Sequence, residues 1–144
     1  MEKYTMANLY SQFTYDDALN LRDSAALTAS ADGDILDIGQ GLFDGFLVLD
    51  VASVEIASND EYYTVNLEGS TVAAMTSTSE CLGKAHFGKL VVPQDANRTA
   101  AGRYVIPIRN EVNGTLYRYV RLSCVVAGTI DTTGMTFGAF LAKR

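Results

Sequence analysis

The sequence predicts a single-domain, all-β protein: a jelly-roll-like sandwich of about eight or nine antiparallel strands over residues 23–144, preceded by an N-terminal arm over residues 1–22. Three observations carry this. From residue 25 onward the chain breaks into short runs with two-residue apolar alternation, separated by Gly, Asn, Asp and Pro. No segment outside residues 6–22 has helical apolar spacing over an ordinary helix length. No repeat of solenoid period is visible. With 144 residues, the chain suits one domain whose core needs no staples.

The arm holds Tyr4, Tyr10, Phe13 and Tyr15 among polar residues, without alternation, and Leu9, Phe13 and residues 16–19 suit a short helix. Aromatic side chains are costly to leave in water, so the arm is expected to pack, on its own domain or on a neighbouring subunit. Residues 25–30 and 35–38 flank Asp32-Gly33-Asp34 and read as a hairpin. Residues 46–56 form a long strand candidate. Its first half, Phe46-Leu47-Val48-Leu49, is apolar on both faces, as in a strand covered on both sides, and its second half alternates. Ser58-Asn59-Asp60 is a turn. Tyr63, Val65 and Leu67 then alternate with Thr64, Asn66 and Glu68, the mark of a half-buried strand. Gly69-Ser70 reads as a break, residues 71–80 as a weak edge strand, and residues 88–102 as a loop with one short strand at 89–92.

Further on, Tyr104, Ile106 and Ile108 alternate with Arg103, Val105 and Pro107. Pro107 lacks an N–H, which places this strand at an edge or a bulge. Asn113-Gly114 is the strongest turn signal in the chain. In the next strand Arg118, Val120, Leu122, Cys124 and Val126 are expected to face inward, with Tyr117, Tyr119, Arg121, Ser123 and Val125 opposite. After a turn over 128–134, Met135, Phe137, Ala139 and Leu141 form the inner face of a last strand.

Composition bounds the function. Hydrophobic residues make up 48% of the chain, yet no apolar run approaches the length of a membrane span. The opening Met1-Glu2-Lys3-Tyr4-Thr5 has neither a basic nor an apolar leader region, so synthesis in the cytoplasm without secretion is expected. Cys81 and Cys124 read as two buried free thiols in preference to one disulfide. Seventeen acidic against eleven basic residues give a net charge of −6, which argues against nucleic acid and suits a partner with basic patches.

The search for chemistry returns no catalytic, cofactor or metal residues. His86 is the single histidine, and no Gly-x-Ser-x-Gly elbow accompanies it. Cys81 and His86, five apart, fall on opposite faces of a strand. One His and two distant Cys cannot build a structural zinc site, nor the multi-histidine metal site of a jelly-roll enzyme. Asp32-Gly33-Asp34 and Asn59-Asp60-Glu61 are oxygen-rich but match no calcium loop, and turn chemistry explains both. Adjacent acids at Asp16-Asp17 and Asp60-Glu61 cannot face each other across a cleft. Gly39, Gly41 and Gly45 do not form a dinucleotide fingerprint. Tyr117, Tyr119, Arg118 and Arg121 set cations beside aromatics, a composition that protein interfaces favour.

Two stretches carry a resemblance. Asp23-Ser24-Ala25-Ala26-Leu27-Thr28-Ala29-Ser30-Ala31, closing on Ile35-Leu36-Asp37-Ile38-Gly39, is similar to the opening strands of the capsid cement proteins of tailed bacteriophages, in the family typified by the Bordetella phage cement protein. Ser24-Ala25 stands where that family tends to a Gln-containing pair, and Ile38 where it tends to Leu. Tyr117-Arg118-Tyr119-Val120-Arg121-Leu122, followed by the turn at Gly128-Thr129, resembles its R-Y-hydrophobic-R-L strand, and residues 63–68 resemble its central strand less well. The matches run in order over about residues 23–142.

The resemblance implies a jelly-roll homotrimer on the outer face of the virion capsid. There it would clamp neighbouring major capsid proteins with several modest contacts acting together. It implies a non-enzymatic structural protein with no cofactor, no nucleic acid partner and no membrane. The residues expected at partner contacts are Tyr4, Tyr10, Phe13, Tyr15, Tyr117, Tyr119 and Arg121. The alternative is a carbohydrate- or receptor-binding sandwich of a phage tail or fibre, a reading weakened by the absence of Trp among the 144 residues.

Overall fold

The computed structural model describes residues 15–76, 79–93 and 98–144. The described chain forms eleven strands: β1 (Asn20–Leu27), β2 (Ala31–Asp32), β3 (Leu36–Asp37), β4 (Asp44–Val54), β5 (Tyr62–Ser70), β6 (Glu80–Phe87), β7 (Gly102–Arg109), β8 (Glu111–Val112), β9 (Thr115–Leu116), β10 (Tyr119–Ala127) and β11 (Met135–Lys143). Among the described residues the only helical element is a single 3-10 turn, Asp17–Leu19, capped by the Asp16 carboxylate, which accepts from the Ala18 N–H at 3.0 Å.

The strands form two antiparallel sheets and a small hairpin. One sheet has the order β1-β11-β4-β7. In the other, β10 pairs with both β2 and β3 along one edge and with β5 along the other, and β6 follows β5. The pairing is nested: β1 with β11, β2 and β3 with β10, β4 with β7, and β5 with β6. An antiparallel ribbon rolled on itself gives this order, which is that of a jelly roll. The first strand begins at Asn20, so sheet pairing starts inside the stretch that composition sets apart as an arm.

The core lies between the sheets, where the alternating residues of each strand meet. Val120, Leu122 and Cys124 of β10 face Met135, Phe137, Ala139 and Leu141 of β11, together with Leu47 and Leu49 of β4 and Tyr63, Val65 and Leu67 of β5. The inward face expected of β10 and of β11 is the face observed. Pro107 sits on β7, an edge strand, where its missing N–H breaks no ladder. Asn113 and Gly114 both adopt positive φ, 52° and 85°, and close the β8–β9 hairpin as a primed turn.

Several expectations are corrected. Asp32-Gly33-Asp34 is no hairpin: the Gly33 N–H donates to the Leu122 carbonyl at 2.8 Å, and β2 and β3 are two pieces of one interrupted edge strand along β10. Gly33 does not take the positive φ that a primed turn requires. Gly69-Ser70 does not break β5; Gly69 pairs with both Val120 and Glu80. A Cβ there would lie 2.7 Å from Leu82 Cδ1 and 2.9 Å from Tyr117 Cβ, so the glycine leaves room for side chains crossing the sheet. The edge strand is residues 80–87, later than the 71–80 expected, and residues 89–92 form no strand. Both thiols are free, but only Cys124 is buried; Cys81 is exposed.

Acidic side chains fasten the loops at one end of the sandwich. The Glu55 carboxylate accepts from the backbone N–H groups of Asp131, Thr132, Thr133 and Gly134 and from the Thr132 hydroxyl. Asp60 accepts from the Thr129 N–H at 3.0 Å and its hydroxyl at 2.9 Å. The N–H donors of Asp131, Thr132 and Gly134 pull the Glu55 carboxyl down from 4.5 to about 2. A lowered folded-state value stabilises the protein above the unfolded value and is lost as pH falls through the folded one. Glu55→Gln is therefore expected to lower Tm at neutral pH, with the gap to the parent closing between pH 4.5 and about 2. Calorimetry across that range checks it; a gap independent of pH would show that the charge is not what holds the loop.

Candidate partner-binding surface

Tyr119, Arg121, Ser123 and Val125 alternate along β10 on the face turned away from the core, as the sequence pattern anticipates. Val125 is 41% exposed. Arg121 lies half-buried between two carboxylates, 3.6 Å from Asp32 and 3.5 Å from Glu68, its neighbours on β2 and β5. Ser123 donates its hydroxyl to Asp32 at 2.9 Å. Beside this row, Arg118 makes a two-pronged pair with Asp37 at 2.8 and 2.9 Å, and its guanidinium lies 5.4 Å from the Tyr119 ring centroid. The Arg118 hydrogen bonds hold the Asp37 carboxyl below its usual value. The face is thus a lattice of internal ion pairs, with Tyr119 as its half-buried aromatic.

Tyr117 stands two residues before β10 and is positioned by Asn110, which is fully buried. The Asn110 amide nitrogen donates to the carbonyls of Gly41 and Tyr117, each at 3.1 Å, and its oxygen accepts from the Phe43 N–H at 2.7 Å. One side chain thereby ties three segments together at this end of the sandwich. Leu42 and Leu116, which flank two of those segments, remain 52% and 41% exposed. Sequence reasoning passed over Asn110 and both leucines, because a lone Asn after an edge strand carries no periodic signal.

Tyr15 lies on the other sheet. Its ring stands edge-on to Phe140 with centroids 5.4 Å apart, and its hydroxyl donates to Asp17 at 2.9 Å. The structure therefore places Tyr119 and Arg121 on one face of β10, puts Tyr117 before that strand beside Gly69 and Leu82, and separates Tyr15 from all three. Tyr4, Tyr10 and Phe13 lie outside the described residues.

The groups weighed for chemistry are engaged in structure. His86 is buried on β6, with Nε2 3.1 Å from the Leu90 carbonyl and its ring 4.8 Å from that of Tyr62. Cys81 is exposed at the other end of the same strand. Cys124 lines a cleft of about 220 Å³ between β1 and β2, where burial pushes its thiol up to about 11, away from a reactive thiolate. Among the described residues no three His, Cys, Asp or Glu side chains are placed to hold a metal. Among the described residues there is also no helix long and apolar enough to cross a membrane. No protein-family model matches the chain, and no curated protein matches it.

Proposed function

We propose that this chain is a capsid cement protein of a tailed bacteriophage. It would be made in the host cytoplasm and assemble as a homotrimer on the outer face of the head, bracing neighbouring major capsid proteins. One observation carries the reading. The stretches that resemble the cement family are separate in sequence, at residues 23–39, 63–68 and 117–129. They cover β2, β3, β10 and most of β5, which are neighbours in one sheet, and also residues 23–27 of β1, which lies in the other sheet. Most of the resemblance thus falls on one sheet, and Tyr119 and Arg121 lie on the outer face of its strand β10.

The physical design suits a brace. Loops tied by Glu55, Asp60 and Asn110 hold the surface in one shape, so little conformational freedom remains to be lost on binding. A three-fold assembly presents each weak contact three times, which raises the effective concentration of the second and third contacts.

The test is assembly and attachment. Light scattering is expected to give a trimer mass, and the purified protein is expected to saturate expanded phage heads and protect them against mechanical or thermal rupture. A strict monomer that leaves heads unbound would sink the proposal. Binding to a glycan array without binding to heads would favour a receptor-binding module instead.

A further inference from the structure

The sequence contains one Asn-Gly pair, Asn113-Gly114, and it sits at the tip of the β8–β9 hairpin with both residues exposed. Asparagine before glycine is the dipeptide most open to attack by its own backbone, because no side chain shields the glycine nitrogen. Asn59, also exposed and left-handed with φ at 62°, is followed by Asp60, whose side chain stands in the way. Asn110 is fully buried, with both ends of its amide hydrogen-bonded.

At Asn113 the fold opposes the attack twice. The residue is left-handed, with φ at 52°, and in that conformation the next peptide nitrogen lies anti to the residue's own Cβ, turned away from the side-chain amide carbon. The Gly114 N–H donates to Glu111 Oε2 at 2.7 Å, while Glu111 Oε1 accepts from Arg109 Nε at 3.2 Å. A carboxylate that accepts this hydrogen makes the nitrogen harder to deprotonate, and its negative charge disfavours the anion that must form. Below the turn the hairpin is pinned. Glu111 pairs with Leu116 and Val112 with Thr115, and the Tyr117 N–H donates to the Asn110 carbonyl at 2.8 Å.

We propose that Asn113 is this protein's site of spontaneous deamidation, and that the Glu111 carboxylate guards it by holding the Gly114 N–H. In the reaction the Gly114 nitrogen gives its proton to solvent and bonds to Asn113 Cγ. The Cγ–Nδ2 bond breaks, and Nδ2 takes a proton from solvent and leaves as ammonia. One water then opens the cyclic imide at either carbonyl, leaving aspartate or isoaspartate; nothing is oxidised or reduced. Either product adds a negative charge beside Glu111. Isoaspartate also adds a backbone carbon to a two-residue turn, whose length sets the β8–β9 register, so modification loosens the hairpin. This inference stands apart from the capsid reading; it holds or fails whatever the protein binds.

Peptide mass mapping during incubation at mildly alkaline pH tests it. The parent, Glu111→Ala and Glu111→Gln are each followed folded and in urea, reading the fraction of the tryptic peptide 110–118 that has exchanged amide for acid. Circular dichroism in parallel shows that folded chains are being compared. In urea the three are expected to react alike. The folded parent is expected to react several-fold more slowly than it does in urea, and folded Glu111→Ala several-fold faster than the folded parent. Glu111→Gln, which keeps a neutral acceptor of the same reach, is expected to fall between them. Folded Glu111→Ala reacting no faster than the parent would overturn the proposal, and a slower reaction would do so by showing that the carboxylate draws the proton off as a base. A folded parent that reacts as fast as the unfolded chain, or that deamidates first at another asparagine, would also overturn it.

Discussion

Replacing Phe137 with alanine is expected to cost about 3–5 kcal/mol of unfolding free energy, the range for removing a buried aromatic and leaving a cavity. Phe137 is 0% exposed in the middle of β11, flanked in register by Ala25 of β1 and Val51 of β4. Both neighbouring strands fix the backbone around it, so the site cannot collapse to fill the void. Arg22 closes the ring from the open side: its guanidinium lies 4.6 Å from the ring centroid, and its Nε donates to the Phe137 carbonyl at 3.1 Å. That loss is a large share of the roughly 5–15 kcal/mol a domain holds. Urea unfolding would show it as a lower midpoint at an unchanged slope. A loss below about 1 kcal/mol would mean that the ring is not clamped between the sheets.

The second large effect is expected at Gly134. Its φ is +61°, and a Cβ there would meet the Leu27 carbonyl oxygen and carbon. These are backbone atoms of a neighbouring strand that cannot swing away. Gly134→Val therefore combines a left-handed conformation, costing about 1–2 kcal/mol for a side chain, with a clash that forces the loop off β1. The loop's N–H bonds to Glu55 are lost with it. The combined loss is expected to exceed 2 kcal/mol by a clear margin. Gly39→Ala is the control: φ is +90°, but nothing lies within 4 Å of the added carbon, so only the conformational cost of about 1 kcal/mol is expected. Equal losses in the two variants would show that the close approach to Leu27 is unimportant.

How legible the fold is in the sequence depends on the strand. Every second residue is apolar from Val120 to Val126 in β10 and from Met135 to Leu141 in β11, and the inward faces follow directly. β6 gave no such signal: Gly83-Lys84-Ala85-His86 mixes small, charged and polar residues, because the strand lies at a sheet edge and its outer His86 is buried by the loop after it. The apparent turn at Asp32-Gly33-Asp34 misled for a related reason. Turn-forming residues also suit an interrupted edge strand, whose free side needs no ladder partner.

The candidate surface was half legible. Tyr119 and Arg121 follow from the alternation of β10, but not that Arg121 is held between Asp32 and Glu68. The net charge suggested acids free to meet a basic partner. In the fold many of them are committed internally: Glu55 and Asp60 to loops, and Asp37, Asp50 and Asp44 to arginines. A charge count does not reveal such pairings, since the partners lie 53 to 100 residues apart.

What the sequence by itself determined was local: which residues alternate, where the chain turns at Asn113-Gly114, and which strand of mixed character must sit at an edge or a bulge because of Pro107. Those are properties of neighbouring residues, set by backbone sterics and the two-residue period of a strand. Only the tertiary structure decided strand order, the crossing of the chain from β1 to β2 between sheets, and the gathering of Gly41, Phe43 and Tyr117 around Asn110. Those depend on contacts far apart in the chain, where many pairings satisfy the same alternation and the packing of one shared core selects among them.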